Sequence, residues 1–216
     1  MNIFQLEFGA LLTYAPRGDS PKIHHSKDVM LALKGDKFVN TPPILMSDWI
    51  AQTIKEKMDS LPFAEFFQPN TILVPVPKSS LMKSDTLWVP ERIATALARI
   101  GIGKGVASCL VRSKPVPKAA LSAPRERPTA EQHYESMTVQ GTLSKPDEIL
   151  LVDDVVTRGA TLLGAANRLA DAFPQSCIRA FAAMRTISNP TEFQGIYVPV
   201  VGKIDLWESG DTFRRP

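Results

Sequence analysis

The stretch from residue 149 to residue 161 constrains the fold more than any other part of this 216-residue chain. It begins with four apolar residues, 149–152, which predict a short buried strand, because parallel strands covered on both faces are apolar without alternation. Two adjacent carboxylates, Asp153 and Asp154, close that strand. After a short polar loop a helical pattern begins, with apolar residues three and four positions apart: Leu162, Ala165, Ala166, Leu169 and Phe173. The stretch therefore predicts a strand, a tight loop and a helix in direct succession.

The loop of this unit has the composition of a site for a sugar phosphate. A loop at a helix N-terminus presents unpaired backbone N–H groups and the positive end of the helix dipole to an anion. Gly159 permits close approach of a ligand and a positive φ, and the hydroxyls of Thr157 and Thr161 add donors. Asp153 and Asp154 are acceptors, which repel a phosphate but suit the hydroxyls of a diol. Together these groups predict a site for ribose 5-phosphate.

The same residues resemble the phosphoribosyl pyrophosphate (PRPP) signature of type I phosphoribosyltransferases. The order of strand, loop and helix matches, and so do the residues Asp153, Asp154, Thr157, Gly159 and Thr161. Arg158 departs from the signature, since Thr or Ser is commoner there, and we favour a side chain that points to solvent. An inward contact with the 5-phosphate, or an ion pair with Asp153 or Asp154, stays open. The resemblance implies that Asp153 and Asp154 are catalytic and hold the ribose hydroxyls. It also implies that seven residues bind the ribose 5-phosphate: Val155, Val156, Thr157, Arg158, Gly159, Ala160 and Thr161.

An earlier segment, residues 71–77, extends the resemblance. It predicts a strand whose prolines restrict its pairing to an edge or a strand end. Its Val-Pro-Val-Pro run is similar to the branch of the family related to the competence protein ComF, although that branch's usual Arg-Gly-Phe-Asn-Gln segment and N-terminal zinc module are absent. The family binds pyrophosphate in the loop after its first core strand. The resemblance therefore implies that Lys78, Ser79 and Arg112 bind pyrophosphate, with Mg²⁺ carried by the substrate and no direct protein ligand to the metal.

The alternation of strands and helices predicts an α/β fold, in which a parallel sheet is covered by helices on both faces. Further apolar runs predict strands at 106–111, 177–184 and 196–201, and helical patterns predict helices from an N-cap at Ser47 to about 60 and from Pro90 to 100. The resemblance implies a Rossmann-like type I phosphoribosyltransferase core. We expect residues 1–45 to form an N-terminal hood-like extension, and residues 46–216 to form the core with a C-terminal cap.

The predicted extension is locally basic, and two interpretations stay open. Its cations either belong to a solvated surface or lie over the active site, where a hood selects the base. The adjacent pair His24 and His25 does not predict a metal site, because neighbouring residues rarely converge on one ion. The cationic and histidine residues are Lys22, His24, His25, Lys27, Lys34 and Lys37.

Residues 113–137 are polar and rich in proline, which predicts a long mobile loop that folds over the substrate. The cations of this segment suit such a role: Lys114, Lys118, Arg125 and Arg127. His133 is available as an acid or a base, but a single histidine in a loop is interpreted here as a bystander.

Composition narrows the class of protein. The net charge of +3 is too small to indicate nucleic-acid binding. Cys109 and Cys177 lack the spacing of a zinc site and fit a reducing compartment. No apolar run reaches membrane-spanning length. We therefore expect a soluble, cytoplasmic protein, and a homodimer stays open.

The expected function is transfer of a phosphoribosyl group between pyrophosphate and an unidentified nitrogen base, in nucleotide metabolism or salvage. Its ligand would be PRPP or a nucleoside monophosphate. Two alternatives stay open: a non-catalytic regulator that binds PRPP or a nucleotide, and a ComF-like accessory protein in DNA uptake or handling. A phospho-accepting receiver domain fits poorly, since its acid pair would lie near the start of the chain.

Overall fold

The computed structural model describes residues 1–81, 85–117, 127–141 and 146–216. The elements of this part of the chain are, in order, β1 (Gln5–Tyr14), α1 (Pro21–Lys34), β2 (Phe38–Val39), β3 (Ile44–Leu45), α2 (Met46–Lys57), β4 (Ile72–Pro75), α3 (Val89–Arg99), β5 (Gly105–Val106), β6 (Leu110–Arg112), α4 (Ala130–Glu135), β7 (Met137–Val139), β8 (Glu148–Val156), α5 (Ala160–Ala172), β9 (Cys177–Thr186), β10 (Tyr197–Leu206) and β11 (Thr212–Arg215). Short 3₁₀ turns lie at Met58–Ser60, Ala64–Phe66 and Pro190–Glu192.

A central sheet of seven of these strands has the order β11-β10-β1-β9-β8-β4-β5. Five neighbouring strands, β1, β9, β8, β4 and β5, are parallel to one another. The outer pair is antiparallel, since β10 runs opposite to β1 and β11 runs opposite to β10. The prediction of an α/β fold with a mostly parallel sheet is confirmed, and the architecture is consistent with a Rossmann-like fold. The predicted central strand, β8, lies between β9 and β4.

Two hydrophobic cores cover the two faces of the sheet. Side chains alternate along β8, so Leu150 and Val152 face a core that contains Ile50 of α2 and Ile93 of α3. Ile149 and Leu151 face the opposite core, which contains Leu162 and Leu163 of α5. The continuous apolar run therefore reflects burial on both sides, as expected for a parallel strand covered by helices.

The central strand is longer than the sequence predicted. It continues through both carboxylates to Val156, because β9 runs alongside as far as Thr186 and offers backbone partners there. Asp153 pairs in register with Ala182, and Val156 pairs with Arg185. The prediction that the acid pair ends the strand is wrong: the strand ends two residues after Asp154, at Val156.

The predicted strand at 106–111 is also wrong, because the chain leaves the sheet after β5. The Ala107 amide donates to the Leu73 carbonyl at 2.9 Å, and the next bond of a parallel ladder would need an N–H from Pro75. Proline has no N–H, so the ladder stops there. The chain then forms β6, which pairs antiparallel with β7 in a separate two-stranded sheet.

The segment 113–137 was predicted to lack regular structure, but part of its described portion is helical. Residues 130–135 form α4, which begins with a reciprocal capping box between Thr129 and Gln132. Met137 then begins β7, opposite Arg112. The cations Lys118 and Arg125 lie outside the described residues, so their expected part in a closing loop stays a prediction.

The first 45 residues contribute to the sheet as well as to an extension. β1 is a strand of the central sheet, inserted between β9 and β10, and α1 follows it with Ser20 as its N-cap. The N-cap predicted for α2 is wrong: the N-cap is Leu45, two residues earlier, and Ser47 lies in the first turn of the helix. The amide and hydroxyl of Ser47 donate instead to the two carboxylate oxygens of Asp36, at 2.8 and 3.1 Å.

Among the described helices, none is long and apolar enough to cross a membrane.

Candidate functional site

A cavity of about 340 Å³ opens where the carboxyl ends of β1, β8 and β9 meet. All seven residues predicted to bind the sugar phosphate, 155–161, line it, together with Asp153. Tyr14 at the end of β1, and Pro16 and Arg17 just after it, also line the cavity. Open parallel sheets bind ligands at this end of their strands, so the position of the cavity agrees with a ligand site.

The loop between β8 and α5 depends on Gly159. This residue is the N-cap of α5 and has a φ of +88°, a conformation that favours glycine. A Cβ at this position would lie 2.6 Å from the side chain of Ile204, so both backbone and space exclude other residues. No side chain of the described residues caps this helix start, which leaves its first amides directed at the cavity.

Strand β11 holds the loop between β8 and α5 through hydrogen bonds to its backbone. Arg214 of β11 donates from Nε to the Thr157 carbonyl at 2.7 Å and from Nη2 to the Thr186 carbonyl at 2.6 Å. Burial, and then the neighbouring charge of Arg185, lowers the pKa of Arg214 to about 10. No pattern in the sequence indicates this role, because the C-terminal residues predicted only edge strands and a cap. The loop is thereby fixed between two strand ends.

Arg158 does not approach the acid pair. Its guanidinium lies 3.5 Å from the carboxylate of Asp211, in the turn between β10 and β11, and its side chain is 31% exposed. The expectation of a solvent-facing side chain is met only in part, since the side chain also lines the cavity wall. The ion pair holds it beside the loop.

The two predicted catalytic carboxylates are adjacent and share local hydrogen bonds. Asp153 Oδ1 accepts from the Asp154 amide at 2.8 Å, and Asp154 Oδ1 accepts from the Val155 amide at 2.7 Å. Burial, and then the charge of Asp154, raises the pKa of Asp153 well above its usual range. Two like charges in a partly desolvated place resist joint ionisation, so the pair favours a ligand that brings positive charge or hydroxyl donors.

A cation from α1 completes this part of the site. Lys34 Nζ lies 3.0 Å from Asp154 Oδ2. Burial lowers the pKa of Lys34, but attraction to Asp154 and Asp153 outweighs it, so the net shift is upward and the ammonium stays charged. The sequence placed Lys34 only in a generally basic arm, and no local pattern distinguishes it from its neighbours.

The residues predicted to bind pyrophosphate lie together beside β8, outside the cavity lining. Arg112 is 4% exposed and donates to the backbone carbonyls of Lys78 and Pro77, at 2.9 and 3.5 Å. The Ser79 carbonyl accepts from the Val116 amide at 2.9 Å. Arg112 therefore holds the backbone of the loop after β4, and its contact with pyrophosphate stays a prediction, as do those of Lys78 and Ser79.

His133, interpreted from the sequence as a bystander in a loop, lies on α4 and contacts two residues of the site region. It is buried against the loop, with Nε2 3.2 Å from Thr161 Oγ1 and Nδ1 3.4 Å from a nitrogen of Arg112. Burial, and then Arg112, lowers the pKa of His133 to about 3, which keeps the ring neutral. The capping box of α4 was the signal in the sequence that could have placed His133 on a helix rather than in a loop.

The described residues do not form a protein metal cage. No cluster of three or more His, Cys, Asp or Glu side chains in this part of the chain could hold a metal ion. The cations that face the cavity are Arg17, Arg127 and Arg158.

No protein-family model matches the chain, and no curated protein has a matching sequence. The site is therefore interpreted from its own geometry.

Proposed function

We propose that this protein binds a ribose 5-phosphate group and acts as a type I phosphoribosyltransferase, transferring that group between pyrophosphate and a nitrogen base. One observation carries the proposal: the same cavity is lined by an uncapped helix start behind a glycine loop and by Asp153, the first carboxylate of the acid pair. The first suits a phosphate and the second suits a diol. The two chemistries lie at the two ends of a ribose 5-phosphate.

The phosphate would lie against the loop 157–161. Backbone amides at the start of α5 and the hydroxyls of Thr157 and Thr161 supply donors. Arg214 fixes the carbonyl of Thr157 on the far side of the loop, so the amides are already oriented before the ligand arrives. A rigid loop loses little conformational entropy on binding, which favours affinity.

The ribose hydroxyls would lie at Asp153 and Asp154. Displacement of pyrophosphate from C1 develops positive charge on the ribose, and a nearby pair of carboxylates stabilises that charge. The raised pKa of Asp153 supports this role, because a positive ribose would offset the burial, and then the repulsion by Asp154, that now oppose its ionisation. The stabilisation would therefore be greater in the transition state than in the ground state.

Pyrophosphate would leave on the β4 side of the sheet. Pro75 pairs in register with Val152, and the Val76 amide donates to the Val152 carbonyl at 2.9 Å, so the loop after β4 begins beside the acid pair. Lys78 and Ser79 lie in that loop. Mg²⁺ would arrive bound to the oxygens of PRPP and neutralise the leaving group.

Incubation of the protein with PRPP, Mg²⁺ and a panel of purine, pyrimidine and other nitrogen bases tests the proposal, with pyrophosphate release as the readout. We expect release with one class of base and none from the Asp153→Asn/Asp154→Asn variant. If no base supports release although ribose 5-phosphate binds, the transferase proposal is wrong and the protein is a sensor. If ribose 5-phosphate does not bind, the assignment of the site is wrong as well.

One feature favours a non-catalytic PRPP or nucleotide sensor as the second candidate. Lys34 occupies an oxygen of Asp154 that a ribose hydroxyl would need, and displacement of this cation would report ligand binding to α1. A ComF-like accessory role in DNA handling rests on the resemblance alone.

A further inference from the structure

His133 connects two parts of the site that are far apart in the sequence. The ring lies on α4, is 4% exposed, and contacts Arg112 of β6 through Nδ1 and Thr161 of α5 through Nε2. Both ring nitrogens therefore have a partner, at 3.4 and 3.2 Å respectively. The ring forms a bridge from a buried guanidinium to a hydroxyl of the loop.

Close packing of the two helices fixes the position of the ring. A Cβ at Gly164 of α5 would lie 2.5 Å from the Ala130 carbonyl oxygen and 2.7 Å from the Cβ of His133. Arg168 of α5 donates twice to the Tyr134 carbonyl, at 3.1 and 2.8 Å. Because α4 rests directly on the backbone of α5, the imidazole has little freedom to leave Thr161.

The partners of the ring determine its protonation. A guanidinium only donates hydrogen bonds, so Nδ1 of His133 has to accept from Arg112. The second hydrogen of the same nitrogen of Arg112 goes to the Ser136 hydroxyl at 2.6 Å. Burial and the charge of Arg112 lower the pKa of His133 to about 3, so the ring carries one proton, and that proton lies on Nε2.

The direction of the next hydrogen bond follows. Nε2–H donates to Thr161 Oγ1, so the oxygen of this hydroxyl accepts from the ring, and its own hydrogen has to point elsewhere. Thr161 lines the cavity, and the first amides of α5 lie beside it. We propose that His133 is a positioning residue that holds the Thr161 hydroxyl as a donor toward a phosphate group, through the order Arg112 to His133 to Thr161 to ligand. This inference rests on the proposed function of the loop. It also names the group that the loop selects, a phosphate monoester whose oxygens accept hydrogen bonds.

Two conservative variants separate the two contacts of the ring. The amide of His133→Asn reaches about as far as Nδ1, so it retains the contact with Arg112 and loses Thr161. The amide of His133→Gln reaches about as far as Nε2 and retains a donor for Thr161. By calorimetric titration with ribose 5-phosphate we expect His133→Asn to weaken binding roughly three- to tenfold, the effect of one oriented hydrogen bond. We expect His133→Gln to change binding less than about twofold.

A double-mutant cycle tests whether the effect passes through the hydroxyl. Thr161→Val removes the hydroxyl and should weaken binding of ribose 5-phosphate about ten- to a hundredfold. In that background His133→Asn should cost less than about twofold more. If His133→Asn costs as much with Val at position 161 as with Thr, the residue acts only through packing, and the proposal is wrong.

The tautomer can be measured without any ligand. In ¹⁵N spectra of the wild-type protein, one of the three histidines should show the neutral form with the proton on Nε2, unchanged between pH 5 and pH 8. A proton on Nδ1, or titration of His133 in this range, would overturn the proposal even if ribose 5-phosphate binds. Failure of the wild-type protein to bind ribose 5-phosphate would instead overturn the proposed function, and the phosphate part of this inference with it.

Discussion

Lys34 of α1 and Asp154 of β8 form an ion pair, with Nζ 3.0 Å from Oδ2, across 120 residues of sequence. The contact joins the helix after the first strand to the acid pair at the end of the central strand. Lys34 also lowers the pKa of Asp153, against the larger effects of burial and Asp154. A ligand that bonds to Asp154 has to share it with this cation, so Lys34 regulates the charge of the site.

Replacement of Lys34 should therefore change the pH dependence of ligand binding. In Lys34→Met the pKa of Asp153 rises further, because an attractive positive charge is lost. Carboxylates accept hydroxyl hydrogens best when ionised, so the loss of ribose 5-phosphate affinity on acidification should begin at a higher pH than in the wild type. Titration calorimetry from pH 5 to pH 8 measures this shift. Lys34→Arg retains the charge and should keep the wild-type profile, and identical profiles for Met and wild type would refute the role of Lys34.

Asp153 should lower the stability of the fold at neutral pH. Its pKa in the folded state is raised above the unfolded value, so the folded state binds more protons between these two values, and stability falls as pH rises through that window. Asp153→Asn removes this penalty and should raise the melting temperature at pH 7, by about 2–4 °C for each kcal/mol gained. The gain should shrink at pH 4, where the native carboxyl is protonated. Melting curves of both proteins across this range provide the check, and a lower melting temperature for the variant at pH 7 would contradict the assignment.

Two separable effects should make Gly159 irreplaceable: its positive φ and the contact that a Cβ would make with Ile204. Gly159→Ala places a residue with a Cβ at a φ of +88° and against Ile204 at 2.6 Å. Gly101 has a similar φ of +84° and nothing within 4 Å of its Cβ position, so Gly101→Ala is a matched control that carries only backbone strain. We expect the Gly101 variant to lose about 1 kcal/mol of stability, and the Gly159 variant to lose clearly more and to bind ribose 5-phosphate at least tenfold more weakly.

A second change tests the steric part of that effect. Gly159→Ala should cost less stability in an Ile204→Ala background than in the wild type, because the side chain that the new Cβ meets is then absent. Denaturant unfolding of the two single variants and the double variant measures this coupling. Equal losses for the Gly101 and Gly159 variants would show that contact with Ile204 has no role.

Arg214 should matter for the loop far more than the neighbouring Arg215. Arg214→Lys loses the planar pair of donors that joins the carbonyls of Thr157 and Thr186. We expect a loss of about 1–3 kcal/mol in stability and weaker binding of ribose 5-phosphate, because a buried carbonyl loses its partner. Arg215 pairs with Asp205 on the exposed edge and is the control, since exposed ion pairs contribute about 0–1 kcal/mol. Similar effects of Arg214→Lys and Arg215→Lys would exclude the supporting role.

The sequence predicted those parts of the site whose residues are consecutive in the chain. The apolar run of β8, the loop 155–161 and the face of α5 are local patterns, so they could be read directly, and they do line one cavity. Lys34, His133 and Arg214 reach the site from 120, 28 and 57 residues away from their partners, and tertiary packing alone brings them there. No local pattern carries that information.

Two errors in the fold have physical causes in single residues. The strand predicted at 106–111 fails because Pro75 has no N–H to continue the ladder, and the prolines were weighed only for the strand that contains them. The helix α4 was missed because the prolines of the segment outweighed its capping box at Thr129 and Gln132. Both signals were present in the sequence, but the effect of Pro75 could be used only once its pairing with the neighbouring strand was known.

Discrimination between ribose 5-phosphate and 2-deoxyribose 5-phosphate tests the central claim most directly. The two sugars share the phosphate and differ in one hydroxyl, which the carboxylates of Asp153 and Asp154 would accept. We predict that the wild-type protein binds ribose 5-phosphate at least tenfold more tightly, the effect of one hydrogen bond to a charged acceptor. The Asp153→Asn/Asp154→Asn variant should discriminate less than about threefold and should still bind both sugars through the loop. Equal affinities of the wild-type protein for the two sugars, or unchanged discrimination in the variant, would contradict the account.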